Sequence, residues 1–126
     1  MVVYAAHPRI GPTMTHPLDR TLSALADPTR REVIDLLRRG PCRASDIAET
    51  LHMSRPAMSR HLKILRQAGL VAEDGLEDDA RARVYHLQRA PFTELGQWIS
   101  EVEAFWGEQL QAFKLLAEQV AREETP

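Results

Sequence analysis

From position 18 to position 69 the apolar residues recur every three or four places, in four runs divided by turn-forming residues. Leu18, Leu22 and Leu25 predict a short first helix, Leu18 to Ala26, with these leucines turned inward. Val33, Ile34 and Leu37 predict a second helix. Asp27-Pro28 opens it as N-cap and first-turn proline, and Gly40 closes it. On this second helix Arg30, Arg31, Arg38 and Arg39 fall on the solvated side. SDIAETL, Ser45 to Leu51, predicts a third, with Ile47, Ala48 and Leu51 on its inner face. The fourth run, SRPAMSRHLKILRQAG from Ser54 to Gly69, carries the strongest signals. Ser54 is a good N-cap, Pro56 falls in the first turn where its missing N–H is not needed, and Gly69 supplies the left-handed residue that ends a helix.

After Gly69 the pattern changes. Leu70-Val71-Ala72 starts a strand and RARVYHL, Arg81 to Leu87, returns from it, which predicts a β-hairpin. The connection, EDGLEDDA from Glu73 to Ala80, carries five acids and a turn-favouring Asp74-Gly75. Phosphates repel such a tip, so it is not expected to grip nucleic acid. From Phe92 to Arg122 the helical spacing resumes as one long helix or a broken pair. Leu95, Ile99, Val102, Trp106, Phe113, Leu116 and Val120 form its stripe, interrupted by Gln109, and Trp98, Phe105 and Leu110 widen it beyond what one small domain can cover. Five of the chain's seven aromatic residues lie here, a pattern that points to a packing interface rather than a ligand pocket.

The fourth helix is the element that the others serve. Met58, Leu62 and Leu65 make one apolar stripe. At about 100° per residue, Pro56, Arg60, Lys63 and Gln67 fall opposite it, with Arg55 and Ser59 on the shoulder. By itself this describes any amphipathic surface helix. A short helix, a two-residue turn at His52-Met53 and a longer cationic helix, however, make the helix-turn-helix pattern, and the hairpin adds a wing. The groove-facing candidates are Ser54, Arg55, Pro56, Ala57, Ser59, Arg60, His61, Lys63 and Gln67, joined by Arg81 and Arg83 on one face of the returning strand. Simple protection of the strand edge is the competing role for those last two arginines. His61, at the edge of the core stripe, also reads as a packed histidine with one polar contact.

These residues resemble the ArsR/SmtB family of winged-helix repressors. The likeness runs through LADPTRREVIDLLRRG (25–40), SDIAETL, SRPAMSRHLKILRQAGLV (54–71) and RVYHL (83–87), and is most specific in SRHLKILRQAGLV. His52 stands where helix-turn-helix proteins often carry Gly, and His tolerates positive φ better than most residues. The resemblance implies a mainly α fold with a small β-hairpin wing (α+β), a winged helix-turn-helix that dimerises through its N- and C-terminal helices. Phe105-Trp106 followed by Leu110 is similar to a subset of such regulators with a dimerising terminal helix. The implied interface comprises Leu18, Leu22, Leu95, Trp98, Ile99, Val102, Phe105, Trp106, Leu110 and Phe113. The implied activity is that of a homodimeric repressor on an inverted-repeat operator in double-stranded DNA; whether it represses or activates, and under what effector, the residues leave open.

Composition and charge refine this picture. A chain of 126 residues with 44% apolar content is one domain with a modest core. The organisation reads as an N-terminal arm (1–17) punctuated by prolines, a DNA-binding domain (18–90), a dimerisation helix (91–122) and a tail (123–126), with Met14 as a second candidate start. The net charge of −2 hides a gradient: ten Lys/Arg against five Asp/Glu from Arg20 to Leu70, and two against seven from Ala90 to Pro126. The helix-turn-helix half is the basic one, as nucleic-acid binding requires. No apolar run approaches the ~20 residues that span a bilayer. The start, MVVYAAHPRIGP, lacks the basic and apolar regions of a signal peptide. The single Cys42 fits a reducing compartment, so the expected location is the cytoplasm.

Two constellations were sought. Metal-sensing members of the family place a Cys-x-Cys just before the Asp of the third helix, and alignment on Asp46 puts Arg43 and Ser45 at those positions. Cys42 is displaced by one, and His7, His16, His52, His61 and His86 show no helical i,i+3 or i,i+4 pairing, so no metal site and no cofactor are expected. A metal- or thiol-responsive sensor stays as an alternative, as does a winged-helix adaptor that binds protein. No phosphate loop, nucleophile elbow or acid–base pair suggests an enzyme.

Overall fold

The computed structural model describes residues 16–75 and 83–124. The elements in chain order are α1 (Pro17–Leu25), α2 (Pro28–Leu37), β1 (Cys42–Arg43), α3 (Ala44–Thr50), α4 (Arg55–Gln67), β2 (Val71–Asp74), β3 (Val84–Leu87) and α5 (Arg89–Glu124). The fold is mainly helical, with a small antiparallel sheet in the order β1-β3-β2. The predicted arm lies outside the described residues up to position 15, as do residues 125–126 of the predicted tail and the acidic wing tip from Leu76 onward, while Glu123 and Glu124 belong to α5.

Helix boundaries follow from local chemistry. Asp27 caps α2 by accepting the Arg30 N–H at 3.1 Å, and Pro28 follows in the first turn. That bond to the Arg30 backbone is the main reason the Asp27 carboxyl sits below the usual carboxylate range. Ser54 Oγ likewise accepts the Ala57 N–H at 3.3 Å at the start of α4. Gly69 ends that helix at φ +76°, a left-handed conformation that glycine adopts without a Cβ penalty. His52 in the α3–α4 turn adopts φ +54°, the residue whose tolerance of that region the sequence singled out.

The core is built where the periodicities converge. Val33, Ile34 and Leu37 of α2, Ile47 and Ala48 of α3, and Met58, Leu62 and Leu65 of α4 are all buried, together with Leu70, Val71 and Tyr85. Pro91 and Phe92, in the first turn of α5, are half-buried, and Phe92 packs against this cluster.

Three expectations are corrected. Leu22 does not face inward: it is exposed, and Thr21 and Ala24 are the buried residues of α1. Small side chains let that helix approach closely, and Thr21 satisfies its hydroxyl by donating to the Pro17 carbonyl at 3.2 Å. Leu18 and Leu25 are half-buried. Arg30 is not a solvated charge; its side chain is only 14% exposed. Finally, the hairpin is part of a three-stranded sheet, because β1 pairs Cys42 with Tyr85 and Arg43 with Val84. A two-residue strand has no period to read.

The terminal segment is a single helix of 36 residues, about 54 Å long at 1.5 Å per residue. None of its residues is buried. By contact density the chain divides into Met1–Phe92 and Thr93–Pro126, and α5 crosses that division. Among the described residues no helix is long and apolar enough to cross a membrane.

Candidate nucleic-acid interface

The buried stripe of Met58, Leu62 and Leu65 fixes the rotation of α4, and so decides what the opposite face offers. Arg55, Pro56, Ser59, Arg60, Lys63 and Gln67 are all exposed there, while Ala57 is half-buried. Ser54 holds its oxygen on the helix N-terminus, leaving its hydroxyl hydrogen free to donate outward. Three cations, Arg55, Arg60 and Lys63, share this face with Pro56, Ser59 and Gln67, a chemistry that suits major-groove contact.

His61 is half-buried on the far side of α4, with Nδ1 3.4 Å from Arg30 Nη1. The same guanidinium donates from Nε to the Ala24 carbonyl at 2.7 Å and from Nη2 to the Ser23 carbonyl at 3.2 Å. Arg31 Nη1 donates to the Leu25 carbonyl at 2.6 Å. These carbonyls lie in the last turn of α1, where Ser23 O also accepts the Ala26 N–H at 3.2 Å, and a cation there complements the helix dipole. Arg30 thus ties α1, α2 and α4 together, a role its place on a helix wheel did not reveal.

The wing flanks the other shoulder of α4. A cleft of about 230 Å³ lies there, floored by Met58, Leu62 and Tyr85 and rimmed by Ser45, Arg55 and Arg83. Of the two predicted wing arginines, Arg83 lines this cleft and Arg81 lies outside the described residues. Arg83 Nη1 donates to Glu73 Oε2 at 3.5 Å, Tyr85 donates to the same oxygen at 3.0 Å, and Arg66 Nη1 donates to Glu73 Oε1 at 2.8 Å. Burial, and then the bond to Glu73, push the Tyr85 phenol above its usual range. Arg66 and Glu73 were not among the predicted site residues. The only signal for them was the position of Arg66 two turns beyond Ser59 on the shoulder of the helix wheel.

The apolar stripe of α5 is presented to solvent. Trp98, Ile99, Val102, Phe105, Trp106, Leu110 and Phe113 are exposed, with Phe113 at 69%, and Leu95 is half-buried. Phe105 and Trp106 pack edge to face with ring centroids 5.6 Å apart. A row of large exposed hydrophobics on this scale is unusual for the surface of a single chain and marks an interaction surface. Cys42 is half-buried, its Sγ 3.5 Å from the Gly40 carbonyl oxygen, and among the described residues no three His, Cys, Asp or Glu side chains cluster as metal ligands would.

Comparison with known proteins agrees with this geometry. Residues 27–73 match the profile of the bacterial regulatory protein, arsR family. The chain is 37% identical over 98 residues to the HTH-type transcriptional regulator Rv2034 of Mycobacterium tuberculosis, a span that covers 78% of this chain and 86% of that protein. It is 43% identical over 56 residues to the transcriptional repressor SdpR of Bacillus subtilis, covering 44% of this chain and 62% of the repressor. Among solved structures, the ArsR-like transcriptional regulator from Rhodococcus sp. RHA1 superimposes with a TM-score of 0.70 at 31% identity, covering 82% of this chain and 92% of that one. With a winged helix-turn-helix fold, a matching family profile and relatives aligned over most of their length, this chain belongs to the ArsR family of transcriptional regulators.

Proposed function

We propose that this chain is a homodimeric, sequence-specific DNA-binding repressor of the cytoplasm, with no catalytic role and no metal or organic cofactor. The observation that carries the reading is the outer face of α4. Arg55, Arg60 and Lys63, with Ser59 and Gln67, stand on a helix whose rotation is locked by three fully buried side chains. A rigid helix with bidentate-capable side chains is what base readout demands, since each correct contact requires defined geometry. Ser54, Pro56 and Ala57 complete the α4 surface, while His61 is turned to Arg30 and packs instead of reading DNA; Arg81 and Arg83 of the wing supply backbone contacts. Leu18 and Leu22 on α1, and separately the stretch of α5 from Leu95 to Phe113, are the surfaces through which two copies associate.

A two-fold dimer with one α4 per half-site binds an inverted repeat whose half-site centres lie ~10 bp or a multiple apart. Selection of bound duplexes from a random library, followed by footprinting, tests this. Two protected half-sites related by a dyad are the expected result. Full-affinity protection of one asymmetric half-site would overturn the dimeric reader.

A further inference from the structure

Glu73 holds more cationic partners than any other acid among the described bonds. It lies on β2 opposite Tyr85 of β3, and its side chain is 26% exposed. One carboxylate oxygen takes Arg66, from the last turn of α4, at 2.8 Å. The other takes Arg83, at the foot of β3, at 3.5 Å and the Tyr85 hydroxyl at 3.0 Å. Both guanidiniums are about two-fifths exposed, so both sit within reach of an anion in solution. α4 and the wing are thus joined through one carboxylate, whose single negative charge is shared between a cation from each.

We infer that Glu73 is a specificity-determining residue: it withholds Arg66 and Arg83 from phosphates on arbitrary DNA and yields them only when α4 is seated on its operator. This rests on the DNA-binding reading above. The physical argument is competition. Non-specific affinity comes from counterions released as Lys and Arg neutralise phosphates, roughly 0.9 in salt slope for each phosphate neutralised. An arginine held by a partly buried carboxylate has its charge partly offset and its donors taken up, so a phosphate must first displace that carboxylate. A loosely sliding duplex gains too little to do so. A duplex held against Arg60 and Lys63 by base contacts brings its backbone to the wing at high local concentration, where displacement becomes favourable.

The test is Glu73→Gln, which keeps the shape of the side chain and removes the charge. Binding is followed by fluorescence anisotropy from low to moderate salt. The probes are a random-sequence duplex of fixed length and the strongest duplex selected on the wild-type protein. In the wild type, the salt slope on the selected duplex exceeds that on the random one. Glu73→Gln is expected to tighten random-duplex binding about ten-fold at low salt, to steepen that slope by roughly one to two, and to shrink the preference for the selected duplex. Arg66→Gln and Arg83→Gln, added to it, should abolish the gain. Glu32→Gln, an exposed acid on α2, controls for net charge and should change nothing. If Glu73→Gln does not fold, as judged by circular dichroism, Glu73→Asp decides by the same readout. It retains the charge but not the reach to both arginines, and should move the slope in the same direction. A folded variant with wild-type affinity and slope on random DNA overturns the inference and leaves the DNA-binding reading standing. A wild-type protein that binds neither duplex overturns that reading itself.

Discussion

Arg30 Nη1 lies 3.4 Å from His61 Nδ1, and this contact links the end of α1 and the start of α2 to the back of the recognition helix. A guanidinium can only donate, so in this contact Nδ1 is the acceptor. Through this bond the bonding of α1's last carbonyls is coupled to the seating of α4.

Arg30→Ala removes the side-chain donor to the Ala24 carbonyl and to His61 together, while Ser23 O keeps the Ala26 N–H. Part-buried acceptors left without donors typically cost about 1–3 kcal/mol, so the variant should lose about that much in urea denaturation. Arg30→Lys keeps the charge but not the fork that serves two carbonyls, and should restore only part of it. A loss below about 0.5 kcal/mol, the usual range for surface positions, would show that the guanidinium is not a structural tie.

The Tyr85 phenol sits above its usual range because of burial and then the bond to Glu73. Its folded-state pKa is raised above the unfolded one. Its contribution to stability is therefore complete below about pH 10 and is lost as pH rises through the raised value. Melting temperature should fall along this alkaline limb with a matching rise in tyrosinate absorbance. Tyr85→Phe should flatten the limb while lowering stability at neutral pH, where the hydrogen bond is lost. An unchanged limb in Tyr85→Phe would place the alkaline sensitivity elsewhere.

Arg55, Arg60 and Lys63 should differ from other surface cations in what their removal does to sequence preference. Loss of one bidentate contact typically costs about 1–3 kcal/mol and relaxes preference at one base pair. Arg60→Ala and Arg55→Ala are expected to behave so in competition against single-base variants of the selected duplex. If Arg55→Ala, Arg60→Ala and Lys63→Ala all leave binding intact, the DNA face has been assigned to the wrong side of the protein.

Trp106 is 60% exposed in the single chain, so its truncation opens no cavity there. On the dimer proposed above it serves as an interface anchor, and such anchors carry about 2 kcal/mol or more each, over ten-fold in dissociation constant. Trp106→Ala should shift sedimentation toward monomer and weaken operator binding in step, without contact to DNA. A variant that stays dimeric with unchanged operator affinity would move the interface away from this stretch of α5.

The four apolar runs, the caps Asp27 and Ser54, and the left-handed positions His52 and Gly69 were legible because each is a local requirement. Helical spacing, a cap's reach to the N–H three residues on and the steric cost of positive φ act within a few residues, so the sequence alone determines them. The outward face of α4 follows from the same periodicity. Three features depended on chain segments far apart. Thr21 and Ala24 displaced Leu22 from the core because close helix approach favours small side chains, which no wheel of α1 in isolation can show. The third strand exists because β3 offers Cys42 and Arg43 a ladder. Arg30 and Glu73 read as ordinary surface charges until folding brought carbonyls, a histidine, a tyrosine and two arginines within hydrogen-bond reach. Long charged side chains have no fixed direction in sequence, and only the tertiary structure decides which partner ends their freedom.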